Sequence, residues 1–286
     1  MNTDKTLTEK AMLVRVSISQ WTARRHDAQA TREVIENHGA SSDAGRFNKA
    51  LVDPAALRPI QKIANEARTF HYSQTLPWGD DDSRILPAEN YLEYTKALRD
   101  VTDRFDQAAR DFAAEYPALI DRARVALNGL FRAEDYPNPG DILRRFAFSV
   151  SVSPLPDASD FRVSLGAEET ARVRAQIEND TQAAVAGAMR DLWDRLRDVI
   201  RHAADRLRDR DAIFRDSLIK NIAELCALIP RLNLTGDAAL AALADEAART
   251  LGNQDPEDLR RSELARTATA KDADAILAKM AAYMGA

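Results

Sequence analysis

The residue types that most often carry out chemistry are few in this sequence and lie far apart. The one cysteine, Cys226, lies among apolar residues at helical spacing, which favours a buried structural thiol over a nucleophile. Four histidines are scattered without a partner at the spacing of a zinc site: His26, His38, His71 and His202. No glycine-rich phosphate loop, GxSxG motif or Cys/His pair occurs. The sequence therefore predicts no catalytic residue, no cofactor and no metal site.

Three adjacent aspartates, Asp80, Asp81 and Asp82, could hold a divalent cation. Carboxylates are the ligands that such cations prefer, but this run lacks the staggered spacing and the distal glutamate of a calcium loop. A metal-dependent nuclease that uses the run is therefore the third hypothesis, behind a DNA-binding protein and an adaptor protein.

Arginines and small hydroxyl side chains recur on the polar side of segments whose apolar residues alternate. This set consists of Arg15, Arg145, Ser149, Ser151 and Arg162. Such side chains can contact phosphate oxygens without blocking their approach. The set predicts binding of single-stranded DNA, although a polar surface that merely faces solvent would have the same composition.

The elements that position these arginines are short strands. Residues 12–18 alternate as a half-buried strand does, and residues 146–152 and 161–165 alternate like the two strands of a hairpin. A lone hairpin is only marginally stable in water, so the N-terminal strand is expected to pair with it. The sequence thus predicts a small three-stranded antiparallel sheet.

Two heptad seams predict long helices that resemble a coiled coil. The first seam consists of Tyr91, Tyr94, Leu98, Val101, Phe105, Ala108 and Phe112, and Pro117 should kink or restart its helix. The second consists of Val185, Met189, Leu192, Leu196, Val199, Ala203, Leu207 and Phe214. We expect the helices to be antiparallel with their seams packed together, and self-association through the heptad helices is a further possibility.

The second long helix is unusually rich in charge. Residues 189–216 contain eight arginines and seven aspartates, many of them three or four positions apart, which predicts ion pairs along the helix. Partner binding is the alternative for the face that carries Arg190, Arg197, Arg201 and Arg208.

Other helices have recognisable ends. Residues 22–38 favour a helix that Gly39 stops, and Asp53-Pro54 begins another that ends near Phe70. One face of that helix is apolar, with Leu57, Ile60, Ala64 and Ala67. Three shorter helices are predicted over residues 217–229, 237–251 and 256–283.

Residues 70–87 contain two prolines, a glycine and the aspartate run, and are predicted to form a long ordered loop. Tyr72 and Trp78 could anchor a protein partner there, because exposed aromatic side chains often dominate interfaces. Packing of the loop onto the helices is the alternative.

The composition limits the class of protein. With 45% hydrophobic and 30% charged residues the chain is expected to fold, and no apolar run approaches the length of about 20 that spans a membrane. One cysteine and an N-terminus without signal-peptide character predict a cytoplasmic protein. A net charge of −5 argues weakly against wholesale wrapping of nucleic acid.

Several segments resemble a family of helical tailed-bacteriophage proteins encoded among phage DNA replication and recombination genes. The segments are VSISQWTARRHD, AGRFNK, TLPWG, ILPAENY, MRDLWDRL and LIPRLNLTGD, and the similarity covers residues 13–237. The layout also looks distantly similar to helical proteins encoded beside MoxR-type AAA+ ATPases and their von Willebrand A domain partners. The resemblance implies a phage origin, a location in the host cytoplasm and a role near DNA metabolism, and it assigns no catalytic residue.

Together these observations predict an α+β, predominantly α protein with long antiparallel coiled-coil-like helices and a small three-stranded antiparallel sheet. Residues 1–216 would form a helical hairpin domain with the sheet, and residues 217–286 a C-terminal helical region. The preferred function is non-enzymatic binding of single-stranded DNA during replication or recombination. The competing hypothesis is an oligomeric structural or adaptor protein that contacts a partner such as an AAA+ ATPase.

Overall fold

A computed structural model describes residues 7–79, 81–160, 163, 166–209 and 215–283. The fold is α+β and predominantly α, as predicted. The chain divides into two compact units: the first contains Met1–Arg15, Tyr72–Tyr94 and Ser151–Ala286, and the second contains Val16–His71 and Thr95–Val150. The division predicted near residue 216 therefore lies inside the first unit.

The strands form a four-stranded sheet with the order β4-β5-β1-β6 and a two-stranded sheet of β2 and β3. Their bounds are Ala11–Ser19 (β1), Arg24–His26 (β2), Asn48–Ala50 (β3), Leu76–Pro77 (β4), Arg84–Pro87 (β5) and Ala147–Pro154 (β6). β1 and β6 confirm two of the predicted strands. Four residues of the third predicted strand, 161, 162, 164 and 165, lie outside the described residues.

The predicted loop over residues 70–87 is wrong in part, because it contains two strands. β5 pairs antiparallel with β1 through Leu13–Ile85 and Val14–Arg84, and β4 pairs with β5 through Leu76–Ile85. Ile85 and its neighbour Leu86 are fully buried although they point to opposite faces of the sheet. A four-residue strand that is buried on both faces has no alternation from which it could be predicted.

The helices account for most of the chain. Their bounds are Leu7–Lys10 (α1), Ala28–His38 (α2), Arg58–Gln74 (α3), Tyr91–Leu127 (α4), Ala167–Arg208 (α5), Ser217–Leu232 (α6), Ala238–Ala247 (α7), Pro256–Arg261 (α8) and Glu263–Tyr283 (α9). Gly39 ends α2 in the left-handed conformation, as predicted, and its neighbour Ala40 donates back to Ile35. Within the described residues no helix has the length and apolar character of a membrane span.

The core of the second unit is aromatic. Phe105, Phe112 and Tyr116 of α4 are buried against α3, whose buried face includes Ile60 and Ala64 as predicted. Burial along α4 shifts from the predicted Ala108 to Ala109, and the helix continues through Pro117 without a break. The prediction that this helix restarts at the proline is therefore wrong.

The core of the first unit is aliphatic. Leu192, Leu196 and Ile200 of α5 are fully buried together with side chains of α6, α7 and α9, among them Ile222 and Ile276. Phe105 and Phe112 of the first seam are thus buried in the core of the second unit, as Leu192 and Leu196 of the second seam are in the core of the first unit. Phe214, the last residue of the second seam, lies outside the described residues. Packing of the two seams against each other, and self-association through them, stay predictions.

Candidate anion-binding site

The residues predicted to contact phosphate do not come together in one described site. Arg15 and Ser151 are exposed on β1 and β6 in the first unit, whereas Ser149 is exposed on β6 in the second unit. Arg145 ends a short 3₁₀ turn, Ile142–Arg145, just before β6, so it does not lie on the strand as predicted. Arg162 lies outside the described residues.

The two aromatic residues predicted to bind a partner have different environments. Trp78 is partly buried and packs against the aliphatic core of the first unit, which agrees with the alternative prediction that the loop packs onto the helices. Tyr72 lies in the last turn of α3 and is 51% exposed. Of the two side chains, Tyr72 alone offers a large accessible surface.

The aspartate run shows no cation cage in its described part. Asp80 lies outside the described residues, and Asp81 accepts hydrogen bonds from the backbone and the hydroxyl of Ser83 at 3.2 and 2.9 Å. These bonds lower the pKa of Asp81. Among the residues that the structure describes, no group of three or more His, Cys, Asp and Glu side chains could hold a metal ion.

Beside Tyr72, two arginines converge on one backbone carbonyl. The Thr75 oxygen accepts from Arg84 Nη2 at 3.1 Å and from Arg195 Nη2 at 2.9 Å. Arg84 Nε also donates to the Thr75 hydroxyl at 2.7 Å, and Arg195 Nη1 donates to the Tyr72 carbonyl at 3.0 Å. The Arg84 guanidinium lies over the Tyr72 ring, 4.8 Å from its centre. Two guanidinium groups are thus held on one carbonyl, and one of them lies over an exposed aromatic ring.

The end of α3 explains why the arginines adopt this arrangement. The last carbonyls of a helix have no partner inside the helix and carry a partial negative charge. Tyr72 and Thr75 lie at this end, and their carbonyl oxygens accept from Arg84 at the start of β5 and from Arg195 on α5. Capping of α3 therefore holds both guanidinium groups in place before any ligand arrives.

The charge of this arginine pair is not balanced by its contacts. Among the described residues, the carboxylate that contacts the pair is Asp191, which lies 2.7 Å from Arg195 Nε. The two cations lie close together because both donate to the Thr75 carbonyl, and burial, followed by repulsion from Arg195, lowers the pKa of Arg84. The Nη1 donor of Arg84 has no hydrogen-bond partner within the described part of the chain. The pair therefore keeps a positive charge and a donor for an anion.

A second cluster of charges, in the second unit, is balanced. The Lys49 ammonium contacts Asp27 Oδ2 and Asp135 Oδ2, each at 2.8 Å, and donates to the Leu130 carbonyl at 2.7 Å. Burial disfavours the charged lysine, but the contacts with Asp135 and Asp27 outweigh it and raise the pKa of Lys49. Arg25, which is largely exposed, lies 3.4 Å from Asp135. In this cluster two carboxylates balance the buried lysine and Arg25.

Arg84 and Arg195 are not among the site residues predicted from the sequence. Arg84 lies between the TLPWG and ILPAENY segments, where it begins a strand inside the segment predicted to be a loop. Arg195 lies in the arginine-rich helix, where its i,i+4 partner Asp191 made it look like one of many ion pairs. One feature of the sequence could have indicated Arg84: it stands directly before the apolar pair Ile85-Leu86. A charged residue beside a short apolar run lies at the edge of a core.

Comparison of the chain with protein-family models, with curated proteins and with solved structures finds no match.

Proposed function

We propose that this protein binds single-stranded DNA without catalysing a reaction on it, and that the arginine pair Arg84–Arg195 with Tyr72 forms its principal contact. The observation that carries the proposal is the convergence of two guanidinium groups on the Thr75 carbonyl with one carboxylate beside them. DNA phosphates are the abundant polyanions that such an unbalanced pair would attract. This proposal moves the predicted site away from Arg145 and Arg162.

Tyr72 supplies the preference for single strands. Proteins that bind single strands combine cationic grooves for the phosphates with aromatic side chains on which unpaired bases stack. About half of the Tyr72 side chain is exposed, and Arg84 lies against its ring. A phosphate at Arg84 would therefore place the neighbouring base beside this ring. Bases in a duplex are already stacked, so they would gain less from it.

The resemblance to tailed-phage proteins supplies the setting of the proposal. It suggests that the DNA is a strand exposed during phage replication or recombination. Arg15, which is exposed on β1, adds a further positive charge in the first unit, next to Val14, the residue of β1 that pairs with Arg84. Side chains alternate along a strand, so Arg15 and Arg84 project from opposite faces of this end of the sheet.

The test is fluorescence anisotropy of a labelled single-stranded and a labelled double-stranded oligonucleotide over a range of salt concentrations. We expect salt-sensitive binding that favours the single strand. Arg84→Gln should weaken it about tenfold and reduce the slope of log K against log salt by about 0.7. Tyr72→Leu should reduce the preference for single strands, while Tyr72→Phe keeps it.

Arg99→Gln is the matched control, because Arg99 is exposed on α4 and makes no ion pair within the described residues. Arg84→Lys separates charge from geometry, since a lysine keeps the charge but cannot donate from two nitrogens to Thr75. Its affinity should lie between those of the unmodified protein and Arg84→Gln. Equal binding by the Arg84→Gln and Arg99→Gln variants, or no binding at micromolar protein, would contradict the proposal.

A further inference from the structure

A concave pocket in the first unit lies between α5 and α6 and is separate from the arginine pair. Its volume is about 430 Å³. The polar side chains that line it are Asp198, His202 and Arg206 from α5, Arg215, and Ser217 and Asn221 from α6. The pocket has the size of sites that bind small molecules, which span roughly 300–1,000 Å³.

The charged side chains that line this pocket are two arginines and one aspartate. Most charged contacts on α5 follow the predicted ladder, as in Arg195–Asp191, Arg197–Asp194 and Arg208–Asp205. Arg206 and Arg215 are exceptions, because neither makes an ion pair or a side-chain hydrogen bond within the part of the chain that the structure describes. Both guanidinium groups therefore keep all their donors for a ligand.

Of the nearby carboxylates, Asp198 lines the pocket, and each of the three lies beside an arginine outside it. Asp198 lies 3.5 Å from Arg197 Nε, and Asp205 contacts Arg208. Asp216, which precedes α6, accepts from Arg260 Nη1 at 2.7 Å instead of capping its own helix. The pocket is consequently positive on balance.

The α6 side of the pocket adds neutral donors and an apolar wall. Ser217 and Asn221 are four residues apart, so they lie one above the other on the same face of the helix. Val199 and Leu218 complete the lining with apolar surface. Two guanidinium groups, a hydroxyl, an amide and an imidazole facing one concavity match the three terminal oxygens of a phosphate group, and the apolar wall suits the body that carries it.

We infer that this pocket binds a terminal phosphate, that is, a phosphomonoester. A phosphomonoester carries a charge of about −1.5 to −2 at neutral pH, which two arginines can balance, whereas an internal phosphodiester carries a single charge. A concave pocket also admits the end of a molecule more readily than the middle of a continuous strand. The ligand is then either a mononucleotide-like small molecule or the 5′-phosphate end of a DNA strand.

The experiment uses the full chain and three probes. Calorimetry measures the binding of inorganic phosphate and of a nucleoside 5′-monophosphate, and anisotropy compares one single-stranded oligonucleotide with and without a 5′-phosphate. We expect the monophosphate to bind, and Arg206→Gln and Arg215→Gln each to weaken it about tenfold. Arg201→Gln is the matched control, because Arg201 is exposed on α5, lies outside the pocket lining and makes no ion pair among the described residues.

The outcomes distinguish the two sources and also separate this site from the proposed DNA contact. Tighter binding of the 5′-phosphorylated oligonucleotide, lost in Arg206→Gln, identifies a strand end as the ligand; binding of the monophosphate without such a gain identifies a small molecule. Arg84→Gln should leave monophosphate binding unchanged, so failure of the DNA proposal does not remove this one. Absence of binding by all three probes at millimolar concentration, or equal loss in the Arg201→Gln control, would overturn the inference.

Discussion

Lys49 in the second unit and the arginine pair in the first unit are both cations held in place by hydrogen bonds and ion pairs. They differ in how far neighbouring carboxylates neutralise their charge. Lys49 has a side chain that is 2% exposed, and its ammonium donates to Asp27 and to the Leu130 carbonyl and forms a second ion pair with Asp135, so its charge is balanced. Arg84 and Arg195 share one carboxylate, Asp191, and lie beside a half-exposed tyrosine. The same kind of charge is thus a structural group in one unit and a candidate ligand contact in the other.

The partners of a cation therefore indicate its role more clearly than its burial does. A buried charge without a partner costs several kilocalories per mole, so Lys49 requires Asp27 and Asp135. The arginine pair is satisfied mainly by neutral carbonyls at the end of α3, which fix its position but do not neutralise it. An anionic ligand would complete the pair, whereas it would compete with the carboxylates of Lys49.

Replacement of Lys49 should give the largest effect on stability. Lys49→Met leaves Asp27 and Asp135 buried without their cation, and removal of one partner from a buried ion pair typically costs about 3–5 kcal/mol. Denaturant titration followed by hydrogen exchange should show the loss within the second unit. Lys62→Met is the matched control, because Lys62 is exposed on α3. A cost below about 1 kcal/mol for Lys49→Met would show that the cluster is not structural.

The elements that could be predicted from sequence are those with a clear period or a cap. Residues 12–18 alternate and lie within β1, and the four residues predicted on the apolar face of the helix after Asp53-Pro54 are all buried, Leu57 in the 3₁₀ turn before α3 and the other three in α3. Gly39 and Asp53 mark helix ends through backbone and side-chain bonds that involve near neighbours. Local interactions determine these features, so the local sequence contains them.

The candidate site could not be predicted in the same way. Arg84 and Arg195 meet only because β5 and α5 both reach the end of α3, and many other arginines have similar neighbours in the sequence. The partnership of Lys49 with Asp135 likewise joins β3 to a distant turn. Heptad spacing correctly marked much of the buried side of α4 and α5, but it does not specify the partner of a helix, since an apolar seam fits any complementary apolar surface.

Replacement of Asp27 tests the balanced cluster through the pH dependence of the free energy of unfolding. The expected effect is smaller than that of Lys49→Met. The backbone N–H of Ala30 and then the Lys49 ammonium hold the pKa of Asp27 at about 2. A carboxyl whose pKa is lowered on folding contributes stability above its unfolded pKa of about 3.9 and loses it as the pH falls through the folded value. Asp27→Asn should therefore cost about 1–3 kcal/mol at pH 7, and the deficit should shrink between about pH 4 and pH 2.

The Asp27→Asn variant should retain the helix cap, because asparagine and aspartate are comparable N-cap residues. The pH dependence of the difference thus reports the charge of Asp27, which strengthens both its bond to the Ala30 N–H and its ion pair with Lys49. The free energy of unfolding, measured for both proteins at several pH values, provides the test. A deficit that stays constant down to about pH 2 would show that this charge does not contribute to stability and would remove Asp27 from the charge balance.

Replacement of Arg84 should have the smallest effect on stability. The size of that effect distinguishes a structural role of Arg84 from a role in ligand binding. Arg84→Gln removes bonds to the Thr75 carbonyl and hydroxyl, but Arg195 still caps that carbonyl and is relieved of a neighbouring like charge. We therefore expect a loss of about 1 kcal/mol or less in the same denaturant titration, together with the loss of DNA affinity described above. A loss as large as that of Lys49→Met would mean that the guanidinium is needed chiefly to hold the end of α3 in place. A small loss of stability with a large loss of DNA affinity would instead show that the main role of Arg84 is ligand binding.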